Sequence, residues 1–385
     1  MKWKVMLSDI DFSPREINAV RQVLKSGWLT QGEVTAGFER QFARFIGVKH
    51  ALAVSNGTAA LHLALLACGI GEGDEVLVPS LTFVATVNSV LYCRAKPVFV
   101  DIKSLEDLNV SLEDLERKIT GRTKALMLVH YGGYPIDMPK VVKIVKRAEV
   151  KYGHRIFIIE DAAHAPGAGI AGKKCGSWSE VGCFSFFANK NIATGEGGMV
   201  VTDSDEQAAK LKLLRSHGMT SLSWDRFKGH SHGYDVVDLG YNYRMTEIES
   251  ALGREQLKKL NHFNAQRKRL TGMYRRELSG VEEVLLPFKN CIGKPSYHLF
   301  PVILSDGIRR GDFMERLKKD RIQTSIHYPP AHKFSYIKKR CENGDILPIT
   351  EMAGERQVTL PLHSKMTEAD VKFIAKTVKK AVAGK

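Results

Sequence analysis

One lysine lies in a setting that suits a reactive amine. Lys190 belongs to the segment Cys183–Thr202, which reads CFSFFANKNIATGEGGMVVT. The segment predicts a strand, a polar loop, a glycine-rich turn and a second strand. Glycines let the backbone approach a ligand closely, and lysine amines activated by desolvation or by neighbouring cations are the usual carriers of Schiff bases. A solvated surface lysine is the alternative, but the aromatic and glycine-rich context favours covalent chemistry at Lys190.

A carboxylate is the second candidate for chemistry. The apolar run 156–159 leads directly into Glu160 and Asp161. Such a run predicts a buried strand, and an ionised Asp161 at its end needs a cationic partner or several hydrogen-bond donors. A structural salt bridge and a ligand contact both satisfy this requirement.

The third candidate is an anion-binding loop at residues 55–58, Ser-Asn-Gly-Thr. The loop separates the apolar run 51–54 from the helix-like stretch Ala59–Ala67. Unpaired backbone N–H groups and the helix dipole at such a junction can hold a phosphate. A helix cap with no ligand fits the same residues equally well.

The elements that must position these candidates alternate along the chain. Between Ala51 and Val201, short β-rich runs alternate with helical segments. This alternation predicts an α/β fold with a mainly parallel sheet flanked by helices. Ligands of such sheets bind at the carboxyl ends of the strands, which is where the candidate residues fall. The runs are Glu75–Pro79, Val98–Asp101, Ala125–His130 and Ile156–Glu160.

The pattern changes after Val201 to longer helical segments, the longest at Met245–Leu278. A chain of 385 residues exceeds the usual size of one hydrophobic core. We therefore predict a large domain at residues 1–254 and a smaller C-terminal α/β domain at 255–385. The smaller domain is predicted to contain a strand, a helix, a second strand and a last helix, at Tyr297–Leu304, Arg309–Lys319, Ile322–Tyr328 and Glu368–Val382.

The composition limits the classes of partner. Apolar residues make up 44% and charged residues 26% of the chain, which is typical of a globular protein. The formal net charge of +15 suits a nucleic acid, an anionic membrane or an anionic small substrate. The basic residues occur mostly at helical spacing, and no nucleic-acid-binding motif, membrane span or secretion signal is readable. We expect a cytoplasmic protein that binds neither nucleic acid nor membrane. The six scattered cysteines predict reduced thiols and no metal site.

An ordered set of motifs resembles the DegT/StrS-type nucleotide-sugar aminotransferases. The resemblance begins at Gly27-Trp28-Leu29-Thr30 and reaches Leu360-Pro361-Leu362-His363, so that it covers nearly the whole chain. It implies the type I fold of aminotransferases that depend on pyridoxal phosphate (PLP), and a homodimer with active sites shared at the subunit interface. The motifs between these two ends include Asn56–Leu61, Glu160–His164, Phe184–Gly198 and Gly240–Arg244.

The resemblance implies roles for single residues. Lys190 matches the lysine that holds PLP as a Schiff base, and Asp161 matches the carboxylate paired with the pyridinium nitrogen. A protonated ring nitrogen makes the cofactor a better electron sink. The other implied cofactor contacts are Gly57, Thr58 and Ser185 at the phosphate, Phe83 on the ring face, His164 near the ring oxygen, and Asn242 at the phosphate of the other subunit's cofactor.

Substrate contacts follow from the same resemblance, at Thr30, Arg244, His327 and Tyr328. A structural ion pair for Arg244 and a packing role for His327 and Tyr328 are the alternatives. The family commonly has glycine where Arg94 stands, and we expect this difference to affect only a local turn.

The implied activity is transfer of an amino group from L-glutamate to a keto sugar linked to a nucleoside diphosphate. The sequences of Glu160–His164 and Thr194–Gly198 are more similar to those of members that aminate C4 of 4-keto-6-deoxyhexoses than to those of the C3 group. We therefore predict amination at C4. The alternatives are a C3 aminotransferase or a PLP-dependent sugar dehydratase of the same fold, and a non-enzymatic basic binding protein. Lys190 argues against the dehydratases, which place histidine there. A nicotinamide-binding Rossmann enzyme is excluded because Gly69–Asp74 lacks the third glycine and precedes a strand.

Overall fold

The computed structural model describes residues 2–221, 224, 233–341 and 346–383. Their strands are β1 (His50–Val54), β2 (Glu75–Pro79), β3 (Lys96–Val100), β4 (Thr123–Val129), β5 (Phe157–Asp161), β6 (Gly169–Ile170), β7 (Lys173–Lys174), β8 (Val181–Ser185), β9 (Gly198–Thr202), β10 (Val284–Leu285), β11 (Phe300–Leu304) and β12 (Gln357–Leu360). Seven of them form the central sheet in the order β1-β9-β8-β5-β4-β2-β3.

The central sheet confirms the predicted α/β class. Strands β3, β2, β4, β5 and β8 are parallel, whereas β9 runs antiparallel to both β8 and β1. The five parallel strands therefore end at one edge of the sheet, as the alternating sequence pattern predicted.

Helices cover both faces of this sheet. They are α1 (Pro14–Ser26), α2 (Glu33–Ile46), α3 (Gly57–Ala67), α4 (Val84–Tyr92), α5 (Leu112–Lys118), α6 (Met138–Tyr152) and α7 (Asp205–Arg215). Helix α3 is apolar around most of its circumference because it lies between strands β8 and β9 and the neighbouring helices α4 and α7.

An aromatic cluster supports the segment that carries Lys190. Phe38 and Phe42 of α2 are fully buried and pack against Phe184 and Phe186, with ring centroids 5.0–5.5 Å apart. Buried aromatic pairs contribute about 0.5–1.5 kcal/mol each beyond the area that they bury. The cluster therefore gives the loop after β8 a rigid base.

The C-terminal part contains helices α8 (Glu247–Glu277), α9 (Arg310–Lys319), α10 (Ser335–Arg340), α11 (Pro348–Arg356) and α12 (Glu368–Ala383). Strands β10, β11 and β12 form an antiparallel sheet that packs with α9 and α12 around a core of its own. The boundary predicted between residues 254 and 255 falls inside the continuous helix α8. Val5 also joins the C-terminal core, and Ala331 joins the core of the large sheet. The chain thus passes between the two cores at several places.

The strand predicted at Ile322–Tyr328 is wrong. In this segment Ile322 bridges Val5 and Ser325 bridges Thr359, each as an isolated pair. Pro329 and Pro330 follow at once and lack the N–H that a ladder needs. The segment instead crosses from the small sheet toward the large one. None of the described helices is long and apolar enough to span a membrane.

Candidate active site

A cavity of about 640 Å³ opens at the carboxyl edge of the central sheet. Val129, Asp161 and Ser185, the last residues of β4, β5 and β8, lie in its wall. The volume falls in the range of small-molecule and cofactor sites. All three candidate regions of the sequence meet here, as expected for the carboxyl ends of parallel strands.

Asp161 lies at the base of this cavity and is 6% exposed. Its Oδ2 accepts a hydrogen bond from the Thr86 hydroxyl at 2.9 Å, and its Oδ1 accepts one from the Ala163 backbone N–H at 3.2 Å. Burial raises the pKa of Asp161, whereas these two donors and the charge of Lys190 act to lower it. The site thus has a buried carboxylate with one donor on each oxygen.

Thr86 is a site residue that the sequence motifs do not single out. It is fully buried on the first turn of α4, and its hydroxyl lies 2.8 Å from that of Thr82, which is also buried. No local pattern distinguishes a threonine that binds a carboxylate from one that packs in a core. The pairing becomes visible only when α4 is placed beside β5.

Lys190 projects into the same cavity and is half-buried. Burial lowers its pKa to about 8, against the opposing attraction of Asp161. The neighbouring Asn191 anchors the loop, because its side-chain amide donates to the Asn264 side-chain oxygen at 2.8 Å and to the Ser296 carbonyl at 2.9 Å. An amine with a pKa near 8 can act as a nucleophile and as a base at neutral pH.

The N-terminus of α3 forms a narrow cradle beside Ser185. A Cβ added to Gly57 would lie 2.8 Å from the Ser185 Cβ, so only glycine fits there without displacement. The Asn56 side chain caps the helix by accepting from the Ala59 N–H at 2.8 Å. The N–H groups of Gly57 and Thr58 have no acceptor within the helix because they belong to its first turn. Together with the Ser185 hydroxyl they make a binding site for an anion.

His164 and Tyr328 form a hydrogen-bonded pair in the cavity. Burial lowers the pKa of His164 well below its usual value, so the ring is neutral. Its Nδ1 accepts from the Gly132 N–H at 3.2 Å, which places the ring proton on Nε2. Nε2 lies 3.0 Å from the Tyr328 hydroxyl and donates to its oxygen. The proton of the Tyr328 hydroxyl therefore remains available to a molecule in the cavity.

Phe83 and His327 also line the cavity. The Phe83 ring is 55% exposed, and its centroid lies 5.7 Å from that of Tyr328. His327 is buried beside Thr359, with Nδ1 3.0 Å from the hydroxyl. Burial, followed by the charge of Lys190, lowers the pKa of His327 to about 4, so it is neutral in the folded protein.

Glu160 has a structural role and does not line the cavity. It is fully buried, and the His130 Nε2 lies 2.8 Å from its Oε2. The N–H groups of Gly176 and Trp178 and the Ser179 hydroxyl also donate to it. Burial raises the pKa of Glu160, but His130 and these donors outweigh that effect and lower it overall. The carboxylate thereby fixes the loop before β8 against the end of β4.

The structure separates the residues predicted from the sequence into two groups. Thr30, Asn242 and Arg244 do not line the cavity of a single chain. Tyr243, which lies between Asn242 and Arg244, does line it, and alternation along an extended segment accounts for the difference. Asn242 and Thr30 are exposed, whereas Arg244 is half-buried, with a pKa lowered by burial and by Arg215. The residues that meet in the cavity are Gly57, Thr58, Phe83, Asp161, His164, Ser185, Lys190, His327 and Tyr328.

Comparisons with known proteins agree with this arrangement. The model of the DegT/DnrJ/EryC1/StrS aminotransferase family matches residues 11–379. GDP-perosamine synthase of Caulobacter vibrioides is 39% identical over 363 residues, which cover 92% of each chain. The solved structure of Helicobacter pylori PseC, an aminotransferase involved in the biosynthesis of pseudoaminic acid, is 30% identical in sequence and superimposes with a TM-score of 0.91 over 100% of each chain. Spr1654 of Streptococcus pneumoniae in its PLP form is 29% identical, with a TM-score of 0.90 over 98% of each chain.

The family match spans the strand ends, the α3 cradle and the Lys190 loop, and the structural match extends over the whole fold. A lysine of lowered pKa, a buried carboxylate and an anion cradle in one cavity are the parts that such a family would require. The chain belongs to the DegT/DnrJ/EryC1/StrS aminotransferase family.

Proposed function

We propose that this protein is a PLP-dependent aminotransferase of nucleotide-sugar biosynthesis, which transfers an amino group from L-glutamate to C4 of a 4-keto-6-deoxyhexose carried on a nucleoside diphosphate. The observation that carries the proposal is the meeting of Lys190, Asp161 and the α3 cradle in one cavity. The similarity to GDP-perosamine synthase and PseC supports the class of reaction.

The residues present fit PLP group by group. The Gly57 and Thr58 N–H groups and the Ser185 hydroxyl suit its phosphate, and Asp161 suits a protonated ring nitrogen because a buried carboxylate needs a positive partner. The exposed ring of Phe83 offers a stacking surface for the pyridine ring. When bound, PLP joins an amine through its aldehyde and accepts the electrons released when a proton leaves the carbon next to that amine.

Lys190 is the residue that we propose to hold the cofactor and to move protons at the reacting carbon. With a pKa near 8 its amine is about one-tenth unprotonated at pH 7. The neutral fraction can attack the cofactor aldehyde, and the same nitrogen can take up a proton from the amino donor and return it one atom away. We propose that Asp161, whose oxygens accept from the Thr86 hydroxyl and the Ala163 N–H, pairs with the ring nitrogen as a carboxylate.

The residues that we propose as substrate contacts fall into two groups. His327 and Tyr328 lie in the cavity wall and are neutral, which suits the hydroxyl groups of a sugar. Thr30 and Arg244 lie outside the cavity of one chain, and the net charge of +15 favours an anionic diphosphate. We propose a homodimer in which Asn242 and Arg244 face the site of the second subunit.

The preference for C4 rests on the sequence of two segments whose residues His164 and Glu196 both line the cavity. Amination at C3 by the same chemistry is the competing assignment. A cytoplasmic location stays a prediction.

The proposed function is tested with purified protein loaded with PLP. L-glutamate alone should convert the visible absorption band of the loaded protein to the near-ultraviolet band of pyridoxamine phosphate, with one 2-oxoglutarate formed per site. A nucleotide-linked 4-keto-6-deoxyhexose should restore the visible band and yield the 4-amino sugar, identified by NMR. Lys190→Ala should show neither the lysine-linked band nor turnover.

The outcomes separate the alternatives. An amino group at C3 would overturn the assignment of position, and a deoxygenated product formed without 2-oxoglutarate would indicate a dehydratase. Wild-type protein that fails to bind PLP would refute the proposal as a whole.

A further inference from the structure

We infer that Thr86, supported by Thr82, is a positioning residue that orients the Asp161 carboxylate toward the cofactor ring. The inference rests on the proposed function, because it assigns these two threonines to the PLP site. Thr86 lies outside the sequence motifs that carry the family resemblance, whereas Thr82 belongs to one of them, Pro79-Ser80…Thr82-Phe83.

The directions of the hydrogen bonds are fixed by chemistry. An ionised carboxylate only accepts, so the Thr86 hydroxyl donates to Asp161 Oδ2 across 2.9 Å. The Thr86 oxygen then accepts from the Thr82 hydroxyl across 2.8 Å. Both O–H dipoles therefore point toward the same carboxylate oxygen, and each polarises the next.

The two threonine hydroxyl groups that support Asp161 are buried. Thr82 and Thr86 are each 1% exposed, so little of either side chain is open to bulk water. The Ala163 N–H occupies Asp161 Oδ1, which leaves the plane of the carboxylate fixed from both sides. A freely rotating carboxylate would lose part of its attraction to a ring nitrogen, because charge-assisted hydrogen bonds depend on orientation.

The same helix turn presents a second cofactor contact. Phe83 precedes α4 directly, and the Thr86 N–H donates to the Phe83 carbonyl at 3.1 Å. The turn thus holds the exposed Phe83 ring and the Thr86 hydroxyl in a fixed relation. One element sets both the stacking surface and the direction of the carboxylate.

Thr86 also affects the ionisation of Asp161. Burial raises the pKa of this carboxyl, and the Thr86 hydrogen bond opposes the rise. Removing the donor should raise the pKa further, so the ionised form that pairs with the ring would be lost at a higher pH. The other titratable groups around Asp161 are Lys190, His130, Cys183, Glu160 and Tyr328. They are the same in every variant compared below.

The experiment compares Thr86→Val with Thr86→Ser in the full-length protein. Valine keeps the shape of threonine and removes the hydroxyl, whereas serine keeps the hydroxyl and removes the methyl group. The dissociation constant of PLP is measured by fluorescence from pH 5 to pH 9. We expect Thr86→Val to bind PLP about tenfold more weakly and to release it with a midpoint about one pH unit higher, while Thr86→Ser stays close to wild type.

Two further variants make the test specific. Thr82→Val should shift the affinity and the midpoint in the same direction by a smaller amount, and it serves if Thr86→Val does not fold. In an Asp161→Ala background, Thr86→Val should leave the PLP affinity unchanged, because the group through which it acts is gone.

Equal weakening by Thr86→Val and Thr86→Ser would overturn the inference, since it would assign the effect to packing. An undiminished effect of Thr86→Val in the Asp161→Ala background would also overturn it. Failure of wild type to bind PLP would instead refute the proposed function, so the two failures are distinguishable.

Discussion

Lys190→Met should stabilise the protein in its cofactor-free form. Lowering the lysine pKa from 10.5 to about 8 corresponds to about 3 kcal/mol of preference for the neutral amine, at about 1.4 kcal/mol per pH unit. At neutral pH the folded protein either buries the charged amine or releases its proton, and both are unfavourable. Methionine has a similar length and no charge, so the variant avoids this penalty. The folded pKa already includes the attraction to Asp161, so the expected stabilisation stays at about 3 kcal/mol at pH 7.

The sign of the pH dependence follows from proton binding. The folded pKa of Lys190 lies below the unfolded one, so between about pH 8 and 10.5 the unfolded chain holds the extra proton. The free energy of unfolding of the wild type therefore rises relative to that of the variant as pH rises through this window. The advantage of Lys190→Met should be complete below pH 8 and should vanish near pH 10.5.

The assay is urea denaturation of the cofactor-free proteins at a series of pH values, with the free energies of unfolding compared pairwise. Lys143→Met is the control, because Lys143 lies on the exposed face of α6. This substitution removes the same charge from a side chain that is not buried. A difference between Lys190→Met and wild type that is constant from pH 6 to pH 10, or that matches the control, would refute the reasoning.

Three other substitutions test separate parts of the site and fold. Gly57→Ala should lower the free energy of unfolding by about 1–2 kcal/mol and weaken PLP binding. The new Cβ would lie 2.8 Å from the Ser185 Cβ, and this overpacking outweighs the gain in helix propensity. A thermal melt and a PLP titration check this prediction, and unchanged values would contradict it. Tyr328→Phe should leave the His164 Nε2–H without its acceptor and remove the hydroxyl proton available to a molecule in the cavity. We expect kcat to fall at least about tenfold while the PLP dissociation constant changes less than about threefold. Steady-state kinetics and a PLP titration check this, and a larger change in the dissociation constant than in kcat would contradict it. Arg94→Gly should raise the free energy of unfolding by about 1 kcal/mol, since Arg94 has φ 61° and a side chain is strained there; a melting temperature below that of wild type would contradict it.

Local sequence patterns were sufficient to place the two main candidates. The apolar run before Asp161 identified a buried strand, and its carboxyl end is where ligands of parallel sheets bind. The aromatic and glycine-rich surroundings of Lys190 identified a loop that a ligand can approach. Neither of these signals spans more than about twenty residues, so each can be read without knowledge of the rest of the chain.

Arg94 shows how a departure from the family pattern is explained by backbone geometry. The sequence indicated only a turn in which relatives commonly have glycine. The structure shows a left-handed residue there, which glycine adopts without strain. The expected local effect is therefore a backbone cost, and Arg94 itself does not line the cavity.

What only the tertiary structure decided is which side chains meet. Gly57 and Ser185 are separated by more than a hundred residues and approach because β1 and β8 both flank β9, with Val54 and Ser185 opposite Gly198. The pairing of Thr86 with Asp161, and of His164 with Tyr328, likewise depends on the order of strands and on one segment that is not a strand at all. Composition and periodicity determine which residues are buried and in which element, because burial repeats along the chain with the period of the element. Hydrogen-bond partners and pKa values carry no such period, since they depend on the distance and orientation of groups that the fold alone brings together.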